Sequence, residues 1–308
     1  MNDKMIDNIK VVCYLSKPLL FKVKQKNKFS GIRFNPIVKE KIIVGYVGYI
    51  KNLRVFAYTN GFSLVVTNSL HKYAKNDNST DFSFSEMENI INRLQKKYSW
   101  FAVTELKFLE FGINLQTELL KLDYSDTQMF KFYPKISVNT VKQKHFEFMK
   151  HGAMQKYLCY GLKAFFTDYN IKIYDKTMQM NIQYNRKIKD TIRFEIQYKK
   201  RGLKRLKLHS LNDLKDFETV QNLCNDFMQK IELIMFKNKE MDYSKLTPNQ
   251  LKLVALFQNT ELLRVLKEHN QRQFARYKKE FDKLQSDKII SKQFAKSVNE
   301  KIADLLNS

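Results

Sequence analysis

Three short segments carry the side chains whose chemistry stands out. Along a strand, side chains point alternately to its two faces. In 109–115, Leu109, Phe111, Ile113 and Leu115 share one face, and Glu110, Gly112 and Asn114 share the other. In 170–176, Ile171 and Ile173 are set against Lys172, Tyr174 and Lys176. In 192–198, Ile192, Phe194, Ile196 and Tyr198 are set against Arg193, Glu195 and Gln197. If the three segments are neighbours in one sheet, a single polar face holds two carboxylates, a phenol and several cations.

That set suits phosphodiester chemistry. Glu110 and Glu195 offer oxygen ligands to a hard divalent cation such as Mg2+ or Mn2+. Such a cation would stabilise the charge that develops on a phosphate under displacement. Tyr174 would be the nucleophile, forming a phosphotyrosine link. A phenol with a pKa of about 10 attacks poorly unless positive charge favours its ionised form. Lys172 and Lys176, on the same face two residues to either side, are placed to supply that charge. An antiparallel sheet with one solvated face shows the same alternation without any active site. Spacing alone leaves both readings open.

Charge narrows the choice of partner. The 308 residues include 55 Lys and Arg against 31 Asp and Glu, a formal charge of +24. That surplus draws polyanions, and nucleic acid is the commonest in a cell. An AT-rich coding sequence also inflates Lys, and both causes can act together. Lys199, Lys200, Arg201, Lys204, Arg205 and Lys207 put six cations into nine residues with no acid among them. This segment is expected to meet a DNA backbone. Arg272, Arg276, Lys279 and Lys283 form one helical stripe, with Glu268, Glu280 and Asp282 close by. A sequence-specific DNA-binding protein without catalysis is the alternative on the same scaffold. An RNA-binding sheet would expose stacking aromatics, whereas the polar faces here hold charge more than rings.

The elements that must position these residues follow from periodicity. Apolar runs at 9–15, 41–49, 53–58 and 62–68 predict strands, and Thr59-Asn60-Gly61 predicts a hairpin turn between the last two. Ser83 and Glu86 form a capping box ahead of Met87, Ile90, Ile91 and Leu94 at helical spacing. Further strands are predicted at 102–115, 155–167, 169–176 and 190–199, with a tight turn at Asp168-Tyr169-Asn170. From Ser210 the period is helical, with Leu211, Leu214, Phe217, Val220, Leu223, Phe227, Ile231 and Ile234 on one face. Thr247 caps a later helix that has Pro248 at its first position. The fold class expected is α+β, an antiparallel sheet with helices on one face. Strand clusters at 9–68 and 102–199 suggest two related halves. Residues 1–237 would form the catalytic domain and 238–308 a helical C-terminal segment, with a linker near 237–246.

Other classes are excluded by composition. Eight Gly and four Pro are too few for a collagen-like or linker-dominated chain. Cys13, Cys159 and Cys224 stand far apart and are expected to be free thiols in a reducing compartment. The charged N-terminus lacks a signal-peptide core, and the apolar run at 42–50 is about half a membrane span. A cytoplasmic protein is expected.

The wording of several segments, in order, resembles the rolling-circle replication initiators of filamentous phages (the gene II type) and the related plasmid replication initiation factors. MIDNIKV at 5–11 is similar to that group's first strand, and NSLHKYAKNDN at 68–78 to its stretch running into an Asn-rich turn. DFSFSEMENIINRL at 81–94 matches the Ser-flanked helix that follows. ELKFLEFGINL at 105–115 resembles the strand with an acidic metal ligand, and IKIYDK at 171–176 the nucleophile segment. IRFEIQYKKRGLKRLKLHSLNDL at 192–214 resembles the strand and basic helix that close the catalytic domain. The likeness covers about 5–235. It implies Glu110 and Glu195 as metal ligands, assisted by Asn114, and Tyr174 as the nicking residue, leaving a 5′-phosphotyrosyl enzyme and a 3′-OH primer at an origin. A single-stranded or hairpin DNA origin is the implied partner, with a bacterial host and its helicase. The wider endonuclease superfamily carries a His-x-His metal motif that this chain lacks; His145 and His151 are too far apart to replace it. His71 beside Lys72 is a candidate phosphate contact or a plain surface residue.

Overall fold

A computed structural model describes residues 6–15, 28–58, 62–76, 82–116, 132–136, 147–151, 155–189, 191–232, 234–238 and 243–307. The predicted turn at 59–61, the linker residues 239–242 and His145 lie outside these.

The chain runs through β1 (Ile6–Tyr14), β2 (Lys28–Phe29), β3 (Ile32–Lys39), β4 (Ile42–Ile50), β5 (Leu53–Tyr58) and β6 (Ser63–Ser69) into α1 (Leu70–Lys75) and α2 (Phe84–Lys97). Then come β7 (Thr104–Gln116), β8 (Phe132–Ile136), β9 (Glu147–His151), β10 (Gln155–Phe165), β11 (Tyr169–Asp175), α3 (Lys176–Tyr184) and β12 (Thr191–Lys199). Next are α4 (Lys200–Arg205), α5 (Phe217–Glu232), β13 (Ile234–Asn238), α6 (Pro248–Gln258), α7 (Thr260–His269), α8 (Gln271–Gln285), β14 (Ser286–Asp287) and α9 (Lys288–Asn307). The fold is α+β. Among the described residues no helix is long and apolar enough to cross a membrane.

Two compact units form. The first comprises Met1–Thr117, Glu147–Lys230 and Lys296–Ser308; the second comprises Glu118–Phe146 and Ile231–Ala295. In the second, β14, β13 and β8 form a small sheet. There Phe257 of α6 stacks on Phe274 and Phe281 of α8, at 6.4 and 4.4 Å between ring centroids. Arg272, Arg276, Lys279 and Lys283 all lie on exposed positions of α8.

The first unit is built on an eleven-stranded sheet in the order β2-β3-β4-β5-β6-β1-β7-β12-β11-β10-β9. Its two halves are repeats. In each, a first strand (β1 or β7) pairs with the last strand of a meander (β6 or β12), and a helix follows. The cross-strand rows agree in register. Val12, Val65, Phe56 and Val47 form one row in the first half; Gly112, Glu195, Lys172 and Lys163 form its counterpart in the second. Gly45 opposes Tyr58 as Gly161 opposes Tyr174.

One face of the sheet is apolar. Leu109, Phe111, Ile113, Ile171, Ile173, Phe194, Ile196 and Tyr198 are all buried there, beside Val11, Cys13, Leu64 and Val66 of the first half. Phe227 of α5 meets Phe111 and Phe194 edge-on at 4.8 and 5.4 Å. Phe84 of α2 meets Phe217 of α5 edge-on at 5.6 Å, so these two helices touch at their N-terminal ends. The capping box at Ser83 and Glu86 forms as expected, and Met87, Ile90, Ile91 and Leu94 are buried. Thr247 and Gln250 form a second capping box ahead of α6. The Cys13 and Cys224 thiols are free, buried and pushed up to about 12 by that burial.

Three boundaries differ from expectation. The strand predicted to reach 176 stops at Asp175, whose side chain accepts from the Met178 backbone N–H and caps α3. The turn before it spans Phe166 to Asp168, since Tyr169 is already paired with Tyr198. The apolar face of α5 ends at Ile231, because Ile234 opens a strand.

Candidate functional site

β7, β12 and β11 are adjacent and antiparallel, so the polar sides of the three segments share one face. Glu195 stands directly opposite Lys172, and Arg193 opposite both Tyr174 and Asn114. Gly112 lies opposite Glu195; a Cβ there would come within 2.8 Å of the Glu195 side chain and 2.7 Å of the Phe194 carbonyl. The glycine makes room for the carboxylate.

The groups converge. The Tyr174 hydroxyl donates to Glu195 Oε1 at 2.7 Å. Lys172 Nζ donates to Glu195 Oε2 at 2.9 Å and to Glu110 Oε2 at 2.7 Å. Gln197 Nε2 donates to Glu110 Oε2, and Asn8 Nδ2 to Glu110 Oε1, both at 2.6 Å. The Arg193 guanidinium reaches Glu195, Asn114 Oδ1 at 3.1 Å and Asp7 Oδ2 at 3.3 Å. Asp7, Glu110, Asn114, Tyr174, Arg193 and Glu195 are all buried. Far from being solvated, this polar side is an interior ion network at its centre.

Asp7 escapes the alternation rule. Ile6 pairs with Phe111 and Ile9 with Leu109, so Asp7 and Asn8 together face the single residue Glu110. That two-against-one bulge turns both polar side chains to the same side. Asp7, Glu110 and Glu195 thereby bring carboxylate oxygens within 4.8 Å of one another. Three carboxylates and no nitrogen or sulfur donor form the set that a hard divalent cation takes, so these residues fit one. The Lys172 ammonium, bonded to both Glu110 and Glu195, neutralises part of the charge such a cation would.

Protonation follows from burial and neighbours. Burial pushes the Glu195 carboxyl up, but Lys172 and Arg193 more than offset this and hold it well below the usual carboxylate range. Glu110 is raised, by burial and then by the Glu195 charge. Burial works against the Lys172 ammonium, yet Glu195 and Glu110 raise its pKa above the usual lysine value. Tyr174 departs from expectation. Burial and then the Glu195 charge push its phenol well above 10, where the sequence spacing had placed two lysines to lower it. Lys172 is bonded to the carboxylates, and Lys176 sits not on the strand face but at the start of α3. There it is buried, donates to Gln179 at 2.6 Å, and is lowered to about 8 by burial and then by Arg193.

An open pocket on this face is lined by Glu110, Lys172 and Gln197 together with Lys10, Arg54, Lys107 and Lys199. Lys199 Nζ also donates to the Phe166 carbonyl at 2.5 Å. The other basic residues are less uniform than their sequence run. Arg201 and Arg205 lie 3.4 and 3.7 Å from Asp168, Arg205 also 3.4 Å from Asp226, and Lys200 4.0 Å from Glu105. The acids missing from the local sequence are supplied in space. Lys204 and Lys207 are exposed. Lys72 of α1 donates to the Tyr184 hydroxyl at 3.2 Å and lies over its ring. His71 is neither a phosphate contact nor a surface residue: it is buried and stacked on Phe82 at 5.0 Å.

No protein-family model matches this chain, and no curated protein matches it. Among solved structures it is similar to a rolling circle replication initiator protein from Geobacillus stearothermophilus, at 13% identity and a TM-score of 0.39, over 79% of this chain and 90% of that one. At that distance the assignment rests on the residues of this chain.

Proposed function

We propose that this chain nicks and rejoins DNA through Tyr174, with a divalent cation held by carboxylates, as an initiator of rolling-circle replication. The observation that supports it is the meeting of the Tyr174 hydroxyl with Glu195, and through Lys172 with Glu110, at the edge of a basic pocket. Asp7, Glu110 and Glu195 would hold Mg2+ or Mn2+, which when bound supplies charge stabilisation to a phosphate oxygen.

The phosphate enters a pocket where Lys172 is one of the cations. An anion there competes with Glu110 and Glu195 for the ammonium. As Lys172 turns toward the phosphate, it gives up Glu195 Oε2, the oxygen that would face a cation, while Oε1 keeps Arg193 and the Tyr174 hydroxyl. Glu195 Oε1 then takes the proton that Tyr174 already directs at it. The phenolic oxygen attacks phosphorus, an O–P bond forms, and the bond from phosphorus to the 3′ oxygen breaks. That oxygen leaves with the electron pair and takes up a proton to become the 3′-OH. The 5′ end stays on Tyr174, and the reverse displacement by a 3′-OH rejoins a strand. Arg193 holds Glu195 and Asp7 in place throughout. Lys199, Lys200, Lys204, Lys207 and the α8 stripe would grip a hairpin or single-stranded origin by its phosphates.

A second reading is favoured by one observation. Every carboxylate at the centre is already paired with Lys172 or Arg193 or amide donors, and the phenol is buried, as in a structural network of a non-catalytic DNA-binding protein. One experiment separates the two. The protein is incubated with Mn2+ and labelled single-stranded oligonucleotides, and the products are run on a denaturing gel. A protein-DNA adduct that vanishes in Tyr174→Phe, with DNA affinity within about twofold of the parent, is the expected result. Absence of any adduct selects the binding reading; an undiminished adduct in Tyr174→Phe removes that residue from the chemistry.

A further inference from the structure

The repeat gives the polar cluster a sister site on the same face of the sheet. Matching the rows of the two halves places Lys10 where the second half has Glu110, Val65 where it has Glu195, Phe56 for Lys172, Tyr58 for Tyr174 and Ser63 for Arg193. The bulge is repeated too. Lys10 pairs with Phe108 and Val11 with Leu106, leaving Lys107 in the place that Asp7 holds on the other side of the β1–β7 pair. So where one half gathers three carboxylates, the other sets two lysines and two rings.

We infer that this sister site binds single-stranded DNA, with Lys10, Lys107 and Arg54 on phosphates and Tyr58 and Tyr49 stacked on bases. Its ligand rests on the function proposed above; its place rests on the repeat. Three observations converge. Lys10, Lys107 and Arg54 line the open pocket that also reaches Glu110 and Lys172, so a strand held here passes the lysine that is bonded to Glu195. Tyr49 and Tyr58 are 58% and 44% exposed on this face, and Phe56 braces Tyr58 edge-on at 4.5 Å. Residues 28–69 contain six Lys and Arg and a single acid, Glu40, at a turn. Glu105, paired with Lys107 and with the Tyr14 hydroxyl, tempers the positive charge beside the pocket. A row of rings beside phosphate-binding cations is how sheet surfaces hold unpaired bases, whose rings no duplex exposes.

The test is made in the full-length Tyr174→Phe protein, so that binding is read without cleavage. Fluorescence anisotropy follows a labelled oligothymidylate of about sixteen nucleotides over a salt series. Tyr58→Ala is expected to weaken binding about tenfold, and Tyr49→Ala with it about a hundredfold, with the salt slope unchanged. Tyr58→Trp should stay within about threefold of the parent, since a larger ring still stacks. Lys10→Gln with Lys107→Gln should lower the salt slope by about 1.4. Alanine variants within about twofold of the parent overturn the site, as does a Tyr58→Trp loss equal to that of alanine. An oligouridylate bound more tightly than the DNA, and lost in the same variants, replaces DNA with RNA as the ligand. Absence of an adduct from the parent protein in Mn2+, with these binding effects present, fails the function and leaves the site standing.

Discussion

Lys176 shows how far a single side chain can depart from its sequence role. Asp175 caps a helix, so the lysine that alternation placed beside Tyr174 is carried into the protein interior. Its pKa falls to about 8 there, from burial and then from Arg193. Between pH 8 and the ordinary lysine value near 10.4 the unfolded chain binds more protons than the folded one, so stability must rise with pH across that window. Below pH 8 the cost of the buried ammonium is fully present. Lys176→Met removes it, and should stabilise the protein by on the order of 3 kcal/mol at pH 7, an advantage that shrinks toward zero by about pH 10.5. Urea unfolding of both proteins at several pH values measures the difference. A constant difference across the window would mean that the lysine titrates normally in the folded state.

At the level of elements, the ordinary ones are written in the sequence and the exceptional ones are not. Ser83 with Glu86, and Thr247 with Gln250, announce their helices because a cap is a local hydrogen-bonding pattern. The faces of β7, β11 and β12 follow because alternation is obligatory in a paired strand, and Glu110, Lys172, Tyr174 and Glu195 meet where that rule puts them. Asp7 does not, because a bulge is set by the pairing of two strands about a hundred residues apart and leaves no mark in either one. Arg193 is on the face that alternation gives it, but its part as counter-ion to Glu195 and Asp7 and donor to Asn114 depends on burial, which alternation does not report. The same burial reversed the expected direction for the Tyr174 phenol. Deleting Asn8 tests the bulge. With one residue fewer opposite Glu110, the two-residue period is restored: Ile6 and Ile9 keep the apolar face, Asp7 stands alone opposite Glu110, and the Asn8 bond to Glu110 is lost. The expected outcome is a folded protein, destabilised by about 1–3 kcal/mol, that still forms an adduct in Mn2+, whereas Asp7→Asn forms none. Calorimetry and the gel assay together read it; full adduct formation by Asp7→Asn would place Asp7 outside the site.

For the molecule as a whole, the surplus of 24 positive charges is not one uniform field. Part of it is internal. Lys172 and Arg193 neutralise the buried carboxylates, and Arg201 and Arg205 lean on Asp168 and Asp226. What remains for the proposed DNA contact is the exposed fraction, in the pocket lysines, in Lys204 and Lys207, and on α8. Counterion release separates these classes, because only a cation that replaces condensed ions on DNA enters the salt slope. Lys204→Gln with Lys207→Gln should therefore flatten the slope for single-stranded DNA by about 1.4. Arg201→Gln with Arg205→Gln should change it less, while lowering the melting temperature, since those guanidiniums hold the β10–β11 bend and α5. Arg272→Gln with Arg276→Gln asks the same of the second unit, whose stripe is exposed along its length. If the Arg201 and Arg205 pair carried the larger share of the slope, the contacts with Asp168 and Asp226 would have to open on binding, and the run of six cations would act as the continuous patch that its sequence suggests.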